Sequence, residues 1–370
     1  MAKQLVLIGG GHAHMETLAA LPDFIGRGHA VTVVAPSPYH YYSGMGPGML
    51  AGTYQPEDIR FATKRQVEER GGFFVLGRVV RINPLAKTVH LEDGASLPYD
   101  VLSCNAGSFV PLVVPVAGSG GPVFTVKPIE ELLVARRQLL ELAKAGRPRV
   151  AVVGGGPSAV EIAGNAWRLL RDAGADQPAI RIFAGTRLLG RVPKPVRRRA
   201  SASLTSRGIE IIEAVHVREI RDGKVRLDAA ADYPADFVFL ALGIKPAALF
   251  ADSGLPVGPD GGLLVNEYLQ SPAHPEIFGG GDCIHFAPRP LDKVGVYAVR
   301  QNPVLRHNLL AALEGGALRT FEPGGDYLLI YNLGDDTGIF CKRGLVFGGR
   351  PAFWIKDYID RRFMRRFQAL

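Results

Sequence analysis

Apolar residues near the start of the chain occur in short continuous runs separated by a segment with helical spacing. Residues 4–8 form an apolar run that ends in glycines, 12–21 have helical spacing, and "HAVTVVA" at 29–35 is a second run. This succession predicts strand, helix and parallel strand. A further run, "YDVLSCNAGS" at 99–108, predicts a buried strand that ends at a glycine.

The same pattern starts again near residue 149. The segment "RVAVVGGGPSAVEIAG" at 149–164 has the order of strand, glycine loop and helix, and "AIRIFAG" at 179–185 supplies a second strand. "ADFVFLALG" at 235–243 repeats the strand-into-glycine ending of 99–107. Two copies of one plan predict two nucleotide-binding domains in tandem.

The remaining runs complete the predicted elements. "FFVLGRVVRI" and "KTVHLEDG" predict the two strands of a hairpin. "HPEIFGGGDCI" at 274–284 predicts a strand end with an aspartate behind a glycine run. Beyond about residue 320, short strands precede a final helix.

These elements predict an α/β protein with two Rossmann-like nucleotide-binding domains of three ββα layers and a small C-terminal region of short strands and an amphipathic helix. The first domain is predicted to be discontinuous, at 1–115 and 245–320. The second is predicted at 116–244, and the C-terminal region at 321–370.

Composition agrees with a packed globular chain. The 370 residues are 47% hydrophobic and 21% charged, and 45 glycines with 27 prolines indicate many tight turns. No apolar run has the length of a membrane-spanning helix, and the first residues do not resemble a signal peptide. Three cysteines without a C-x-x-C pair favour a reduced, cytoplasmic protein.

The net charge of +8 predicts an anionic partner. No zinc-finger spacing, RNP motif or basic repeat accompanies it, so nucleic acid is not predicted. Anionic cofactors or an anionic membrane surface account for the charge without such a motif.

The two glycine loops carry the predicted phosphate chemistry. In the first loop, Gly9 makes the tight turn and Gly11 lets the backbone approach a pyrophosphate, while His14 stands where a third glycine is usual. Only close helix–strand packing depends on that third position, so phosphate binding at the helix N-terminus is expected to survive. The second loop is complete, with Gly154, Gly156 and Ala159.

The acidic residue that usually reads the ribose is absent from both sites. Ala35 and Ala184 stand at the ends of the second strands, and Ser37 or backbone groups are candidates to hold the first ribose. At the second site, Arg187 or Arg191 is a candidate to attract a 2′-phosphate, and simple solvation of these arginines is the alternative.

The spacing of His12 and His14 argues against a metal pair. Two residues apart at a helix start, their side chains diverge, and no carboxylate or cysteine cluster lies nearby in the sequence. No metal is predicted.

Taken together, the two loops, the "CNAGS" and "LALG" endings and "GGGDC" resemble the pyridine nucleotide-disulfide oxidoreductase superfamily of two-dinucleotide-domain flavoproteins. The resemblance implies FAD in the first domain and NAD(P)H in the second. Within the superfamily, "GGGHAH", "PYHYYSGMGPGMLAG" and "GVYAVRQNP" resemble the flavoprotein domain fused to selenophosphate synthetase. The arrangement is also similar to type II NADH dehydrogenases and sulfide:quinone oxidoreductases.

The resemblance also implies site residues. Asp282 is implied to bind the FAD ribityl chain. The other implied FAD contacts are Gly9, Gly10, Gly11, His12, Ala13, Ala35, Ser37, Val80, Ala106, Gly107, Gly281 and Ala298. The implied contacts of the second nucleotide are Gly154, Gly155, Gly156, Pro157, Ser158 and Gly243.

Near the flavin, residues 293–302 are expected to carry the helix whose N-terminus faces the ring. The corresponding segment of type II NADH dehydrogenases carries two glutamines near the quinone. Here Gln301 matches one, Tyr297 replaces the other, and a further glutamate of those enzymes is replaced by Asn165. Gln301, Tyr297 and Glu161 are the candidate catalytic residues.

The cysteines do not support disulfide chemistry. None follows the first glycine loop, Cys104 and Cys283 lie in predicted buried segments, and Cys341 stands alone. The predicted reaction is therefore hydride transfer from NAD(P)H to FAD and electron transfer to a quinone-type or other small acceptor. Two alternatives stay open: a flavoprotein that donates electrons to a protein partner, by analogy in selenium metabolism, and a sulfide:quinone oxidoreductase that depends on Cys341.

The final segment, 351–370, has the pattern of a basic amphipathic helix. Its predicted apolar face consists of Ile355, Ile359, Phe363, Phe367 and Leu370, with arginines mostly opposite. Such a helix binds an anionic membrane interface, or packs on the protein body or across a homodimer. The first outcome predicts a peripheral protein on the inner face of the cell membrane.

Overall fold

The computed structural model describes residues 2–118, 120–175, 178–229 and 231–368. Within these ranges the strands are β1 (Gln4–Ile8), β2 (Ala30–Ala35), β3 (His40–Tyr41), β4 (Arg60–Phe61), β5 (Phe73–Leu76), β6 (Val79–Asn83), β7 (Thr88–Leu91), β8 (Ser96–Pro98), β9 (Val101–Cys104), β10 (Val116–Ala117), β11 (Val123–Thr125), β12 (Arg149–Val153), β13 (Ala179–Phe183), β14 (Glu210–Ile212), β15 (Val217–Arg221), β16 (Lys224–Leu227), β17 (Asp232–Pro234), β18 (Phe237–Leu240), β19 (Leu263–Val265), β20 (Ile277–Gly279), β21 (Ile284–Phe286), β22 (Leu329–Asn332), β23 (Gly338–Lys342) and β24 (Leu345–Gly349).

The helices follow the predicted glycine loops and fill the connections between strands. They are α1 (Met15–Ala19), α2 (Leu21–Gly26), α3 (Gly46–Ala51), α4 (Thr63–Glu68), α5 (Glu131–Ala145), α6 (Pro157–Asp172), α7 (Lys194–Thr205), α8 (Leu249–Asp252), α9 (Gly295–Glu314) and α10 (Arg350–Gln368). Short 3-10 turns occur at His12–His14, Ser43–Met45, Pro56–Ile59 and Gly281–Cys283.

The first parallel sheet has the strand order β20-β9-β1-β2-β5. Its central strands are continuous apolar runs because both faces of a parallel sheet are covered. Strand β20 comes from a segment far along the chain and pairs with β9, with Ile277 opposite Leu102. The sheet therefore takes its strands from two separate segments, as expected of a discontinuous domain.

The second parallel sheet repeats this plan, with the order β11-β18-β12-β13-β14. Helix α6 connects β12 to β13, which pair from Arg149–Ala179 to Val153–Phe183. The two sheets organise two separate hydrophobic cores. The core of the second sheet also includes residues of the C-terminal strands and of α10. The same core also takes in residues of α3 and β4, from the first segment of the chain. Since each parallel sheet is continuous in itself, we propose the domain division given by the sequence.

One predicted hairpin is wrong in its pairing. The first half of "FFVLGRVVRI" is β5, which pairs in parallel with β2 at the edge of the first sheet. Only the second half, β6, pairs with β7, in an antiparallel sheet with β8. The break falls at Gly77, whose N–H donates to the carbonyl of Ala35. A side chain there would come within 2.7 Å of Leu91, so the chain can change sheets at this glycine.

The C-terminal region is a three-stranded antiparallel sheet, β22-β23-β24, followed by α10. This sheet packs so closely on α6 that a Cβ on Gly164 would lie 2.1 Å from the carbonyl oxygen of Leu333. Helix α10 contacts β22, β23, β24 and β4. Leu370, assigned to its apolar face, lies outside the described residues.

Candidate active site

The first glycine loop begins where β1 ends. Gly9 has a φ of +85°, which favours glycine, and its N–H donates to the carbonyl of Val34. A Cβ on Gly9 would lie 2.3 Å from the backbone oxygen of Asn105, and one on Gly11 would lie 2.1 Å from the Asn105 side-chain oxygen. Both glycines are therefore required by close approach of the β9 segment.

His14, in place of the third glycine, is built into this loop. The ring is fully buried, its Nδ1–H donates to the carbonyl of Gly9 at 2.6 Å, and its Nε2 accepts from the hydroxyl of Ser103 at 2.8 Å. Burial lowers the pKa of His14 to about 4, so the ring is neutral at physiological pH. The imidazole therefore joins the loop to β9 through hydrogen bonds.

His12 points away from His14 and toward the C-terminal helix. Its ring stacks on Phe363 at 5.6 Å between centroids, and its Nδ1 shares a hydrogen bond of 3.1 Å with Nε2 of His40. Burial, with the charge of Lys127, lowers the pKa of His12 to about 4. The two loop histidines thus have different partners, and within the described ranges no three His, Cys, Asp or Glu residues group as a metal site.

Asp282 lies in a turn that is held from three sides. The Asn105 side-chain amide donates to Gly280 O at 2.7 Å, and the Gly281 N–H donates to Gln301 Oε1 at 2.7 Å. Asp282 Oδ2 accepts from Lys127 Nζ at 2.7 Å and from the Ser108 hydroxyl at 2.8 Å. This mostly buried carboxylate, close to hydroxyl and ammonium donors, is suited to accept hydrogen bonds from a polyol chain such as the FAD ribityl group.

Sequence reasoning missed Asn105, Ser108 and Lys127. Asn105 and Ser108 flank the predicted Ala106–Gly107 pair, so their positions carried a signal that was not used. Lys127 lies just after β11 of the second sheet and carries no local motif. Only the three-dimensional arrangement brings its ammonium group to Asp282.

Most other predicted FAD residues lie at the carboxyl ends of β1, β2 and β9, where dinucleotides bind in such sheets. Gly10, Ala13, Ala35 and Ala298 are buried or nearly so, and Ser37 is half-buried. Ala106 is exposed and Gly107 has a φ of +71°. Val80 stands apart, exposed in β6 of the antiparallel sheet.

The second glycine loop has the same close approaches and one open position. A Cβ on Gly154 would lie 2.1 Å from the oxygen of Ala241, and one on Gly155 would lie 2.3 Å from the oxygen of Ala184. Around Gly156, by contrast, the structure leaves open space, and no side chain caps the α6 N-terminus that follows at Pro157. Uncapped N–H groups beside open space fit a pyrophosphate, and Ser158 and Gly243 are exposed at the same edge.

Glu161, on α6, accepts a hydrogen bond of 2.8 Å from the N–H of Asn332. Burial raises its pKa to about 7, although the nearby charge of Lys356 opposes the shift. Lys356 Nζ itself donates to Asp360 at 2.5 Å and to Gly44 O at 2.7 Å. The C-terminal helix therefore contributes a buried charged pair beside the second nucleotide helix.

The three candidate catalytic residues have different surroundings. Gln301 is 1% exposed and its side-chain oxygen holds the Gly281 turn. Tyr297 is half-buried, with its ring 5.5 Å from that of Tyr327. Glu161 faces the C-terminal sheet, where the Tyr331 hydroxyl is buried without a partner in the described part of the chain. Gln301 thus belongs to the turn that presents Asp282.

The cysteines show no reactive pair. Cys104 and Cys283 are buried, and the Cys283 thiol donates to Cys104 O at 3.4 Å. Burial raises the pKa of Cys283 to about 11 and raises that of Cys341 as well. Since thiolates are the reactive form, all three positions are unfavourable for nucleophilic chemistry.

Comparison with known proteins identifies the family. The chain matches the family described as pyridine nucleotide-disulphide oxidoreductase over residues 3–304, and it belongs to that family. It is 25% identical to ferroptosis suppressor protein 1 of Xenopus tropicalis over 93% of this chain and 90% of that protein. It is also 25% identical to a type II NADH:quinone oxidoreductase of Staphylococcus epidermidis, over 97% and 94% of the two chains.

The fold agrees with solved structures. NDH2 from Plasmodium falciparum in complex with NADH superposes with a TM-score of 0.80 at 14% identity, over 99% of this chain and 97% of that one. The predicted superfamily, the fold class and the class of enzyme, an oxidoreductase that uses FAD and NAD(P)H, are therefore confirmed. Among the described residues, no helix has both the length and the apolar character needed to cross a membrane.

Proposed function

We propose that the protein oxidises NAD(P)H with one FAD and passes the electrons to a quinone-type acceptor. The observation that carries this proposal is the pair of glycine loops, each at the carboxyl end of a parallel sheet, one with the Asp282 turn and the other with open space at Gly156. Relatives named as NADH:quinone oxidoreductases support the acceptor class. Burial of Cys104 and Cys283 and the raised pKa of Cys341 make a disulfide or persulfide route less favourable than quinone reduction.

The chain's own residues bind and orient the reactants. Asp282 would accept hydrogen bonds from the ribityl chain, and the contact with Lys127 holds its carboxylate in place. The α6 N-terminus holds the pyrophosphate of the nicotinamide coenzyme. Bound FAD would supply the two-electron redox chemistry that links the nicotinamide to the acceptor.

Glu161 is the proposed proton donor. Reduction of a quinone to a quinol needs two electrons and two protons, and the hydride of NAD(P)H supplies two electrons and one proton. A carboxyl group with a pKa of about 7 can give up the second proton and regain it from water at physiological pH. Lys356 and Asp360 form a buried ion pair beside this carboxyl group.

The exposed face of α10 supports binding to a membrane interface. Trp354 is 63% exposed, Ile355 36%, Tyr358 59% and Ile359 40%, and the exposed Arg362 and Arg365 follow on the same helix. An aromatic and aliphatic face beside basic residues suits an anionic bilayer surface, where a quinone dissolves. We therefore propose a peripheral protein on the inner face of the cell membrane. A homodimer formed through this face is the competing outcome. The oligomeric state measured without lipid distinguishes the two.

Anaerobic titration of the purified protein with NADH and NADPH tests the proposal. Bleaching of flavin absorbance is expected in the wild type. It should be lost in Gly156→Val, where a side chain fills the space of the pyrophosphate, while dithionite still reduces that variant. Asp282→Ala should purify with less FAD because the ribityl hydroxyls lose a charged acceptor. Flavin that neither coenzyme reduces in the wild type contradicts the proposal.

The acceptor is tested separately. Steady-state oxidation with a soluble quinone should be fast, and slow turnover with quinones but fast turnover with a protein acceptor would favour the electron-donor alternative. Cys341→Ser should leave quinone turnover unchanged, since this thiol lies on β23 with a raised pKa. A loss of turnover in Cys341→Ser would favour sulfide chemistry.

A further inference from the structure

We infer that the second nucleotide site selects NADPH over NADH by binding the 2′-phosphate with Arg187 and Arg191. This inference rests on the proposed function and concerns the coenzyme's adenosine end, away from the reacting atoms. Three observations support it. They are the residue that follows β13, the contacts that hold the next loop, and the charged side chains of that loop that have no ion-pair partner among the described residues.

The end of β13 lacks the group that selects NADH. In sites for that coenzyme, a carboxylate at the end of the second strand accepts the ribose hydroxyl and repels a 2′-phosphate. Here β13 ends at Phe183 and is followed by buried Ala184. The Ala184 carbonyl oxygen lies 2.3 Å from where a Cβ of Gly155 would be, so this residue directly borders the glycine loop. Its methyl group neither binds the hydroxyl nor repels a phosphate.

The loop after Ala184 is fixed against the glycine loop. The N–H of Leu189 donates to Gly155 O at 2.6 Å, and the Arg187 oxygen lies 3.0 Å from the Cβ position of Gly155. Leu188 and Leu189 are buried, which anchors the loop. Arg187 and Arg191, on either side of this anchor, are exposed. Their backbone positions are thus defined relative to the pyrophosphate loop, while their guanidinium groups face solvent.

The ion pairs of the neighbouring residues leave these two arginines available to bind a phosphate. Arg181 of β13 pairs with Glu210 at 2.5 Å. Glu213, which follows β14, accepts a hydrogen bond of 2.8 Å from the Leu188 N–H, so this carboxylate contacts the backbone of the loop. Neither Arg187 nor Arg191 has a carboxylate within 4 Å among the residues that the structure describes. Guanidinium groups bind phosphates through paired charged hydrogen bonds, so this excess of positive charge suits a phosphomonoester.

Kinetics with both coenzymes on the FAD-loaded enzyme test the inference. We expect kcat/KM for NADPH to exceed that for NADH by about tenfold or more, the equivalent of one charge-assisted contact. Arg187→Ala combined with Arg191→Ala should remove this preference and leave NADH turnover nearly unchanged. Ala184→Asp should reverse the preference. Arg218→Ala, another exposed arginine, serves as the matched control and should change neither value.

A binding measurement separates recognition from catalysis. Calorimetric titration with 2′,5′-ADP and 5′-ADP should show tighter binding of the 2′-phosphorylated probe, with the difference lost in the double arginine variant. Equal binding of the probes, or an NADH preference in the wild type, overturns the inference while leaving the proposed function intact. An equal loss for both coenzymes in the variant also overturns it, because it places the arginines on the shared pyrophosphate. Flavin that neither coenzyme reduces contradicts the proposed function instead.

Discussion

At the scale of single residues, His14 explains how a glycine loop functions without its third glycine. The position requires tight packing between the loop and the neighbouring strand, and the buried imidazole meets this requirement with two hydrogen bonds. The sequence shows the substitution, but its partner Ser103 is 89 residues away. That pairing depends on strand order, which local patterns do not encode.

We expect His14→Ala to weaken both FAD retention and stability. The carbonyl of Gly9 and the hydroxyl of Ser103 would be left buried and unpaired, at a cost of about 1–3 kcal/mol. His14→Asn should recover part of the loss, because its amide can still donate toward Gly9. The flavin-to-protein ratio and the melting temperature measure both effects, with exposed His216→Ala as the control. Full flavin content in His14→Ala would show that the imidazole does not position the loop.

Glu161 leads to a second residue-scale prediction. Because its pKa in the folded protein, about 7, lies above the ordinary value of 4.5, its contribution to stability is complete below pH 4.5 and is lost as pH rises through 7. Glu161→Gln keeps an acceptor for the Asn332 N–H and carries no charge. Between pH 6 and pH 8.5 the melting temperature of the wild type should therefore decrease relative to that of the variant. Parallel pH profiles would rule out a raised pKa, and quinone turnover in the variant should lose its dependence on a group titrating near 7.

At the scale of elements, α10 shows why a helical pattern does not determine which face is buried. Positions four apart rotate by about 40° around a helix at each step, so Ile355, Ile359, Phe363 and Phe367 wind around it. The first two are exposed, Phe363 is partly buried and Phe367 is buried. The four residues therefore share one broad arc of the helix but not one environment, because the arc is exposed at its start and buried at its end. Lys356 is buried in its pair with Asp360, whereas the arginines farther along the helix are exposed.

The two faces of α10 should respond differently to substitution. Replacing Trp354, Ile355, Tyr358 and Ile359 by serine should abolish sedimentation with anionic vesicles and leave the melting temperature and flavin content nearly unchanged. Phe367→Ala should lower stability by about 3–5 kcal/mol, the cost of a large core truncation, and leave vesicle binding in the folded fraction unchanged. Vesicle binding that survives the four substitutions would contradict the proposed membrane face.

At the scale of the whole molecule, the order of the main elements followed from the sequence. Both glycine loops, both strand endings and the discontinuous first sheet were predicted, because strand and helix periodicities differ and glycines mark the turns. The contacts between segments that are distant in the sequence were not predicted. Lys127 with Asp282 and α10 with the β3–β4 region join segments more than 150 residues apart, and hydrophobic pattern carries no information on such pairs.

His12 and His14 are buried and His40 is partly buried, and the folded protein should be sensitive to acid in consequence. Burial lowers the pKa of His12 and His14 to about 4 and that of His40 to about 3, below the ordinary value of 6.5. Depressed histidines contribute stability that is present above pH 6.5 and is lost as pH falls toward 3–4, because the unfolded chain binds the protons first. Glu161 acts in the opposite direction as pH rises through 7.

Because three histidines outweigh one carboxyl group, the two effects together predict a stability that rises steeply from acid pH and levels off at about pH 7 and above. Urea unfolding at several pH values should show this rise and plateau, and flavin release should accompany unfolding below pH 5 because His14 belongs to the glycine loop. His14→Asn, which cannot take up a proton, should flatten the acid limb relative to its own value at pH 7. Glu161→Gln should instead make the rise between pH 5 and 7 steeper, because it removes the opposing effect of this carboxyl group. An acid limb of the same slope in wild type and His14→Asn would show that this buried imidazole does not govern the acid sensitivity.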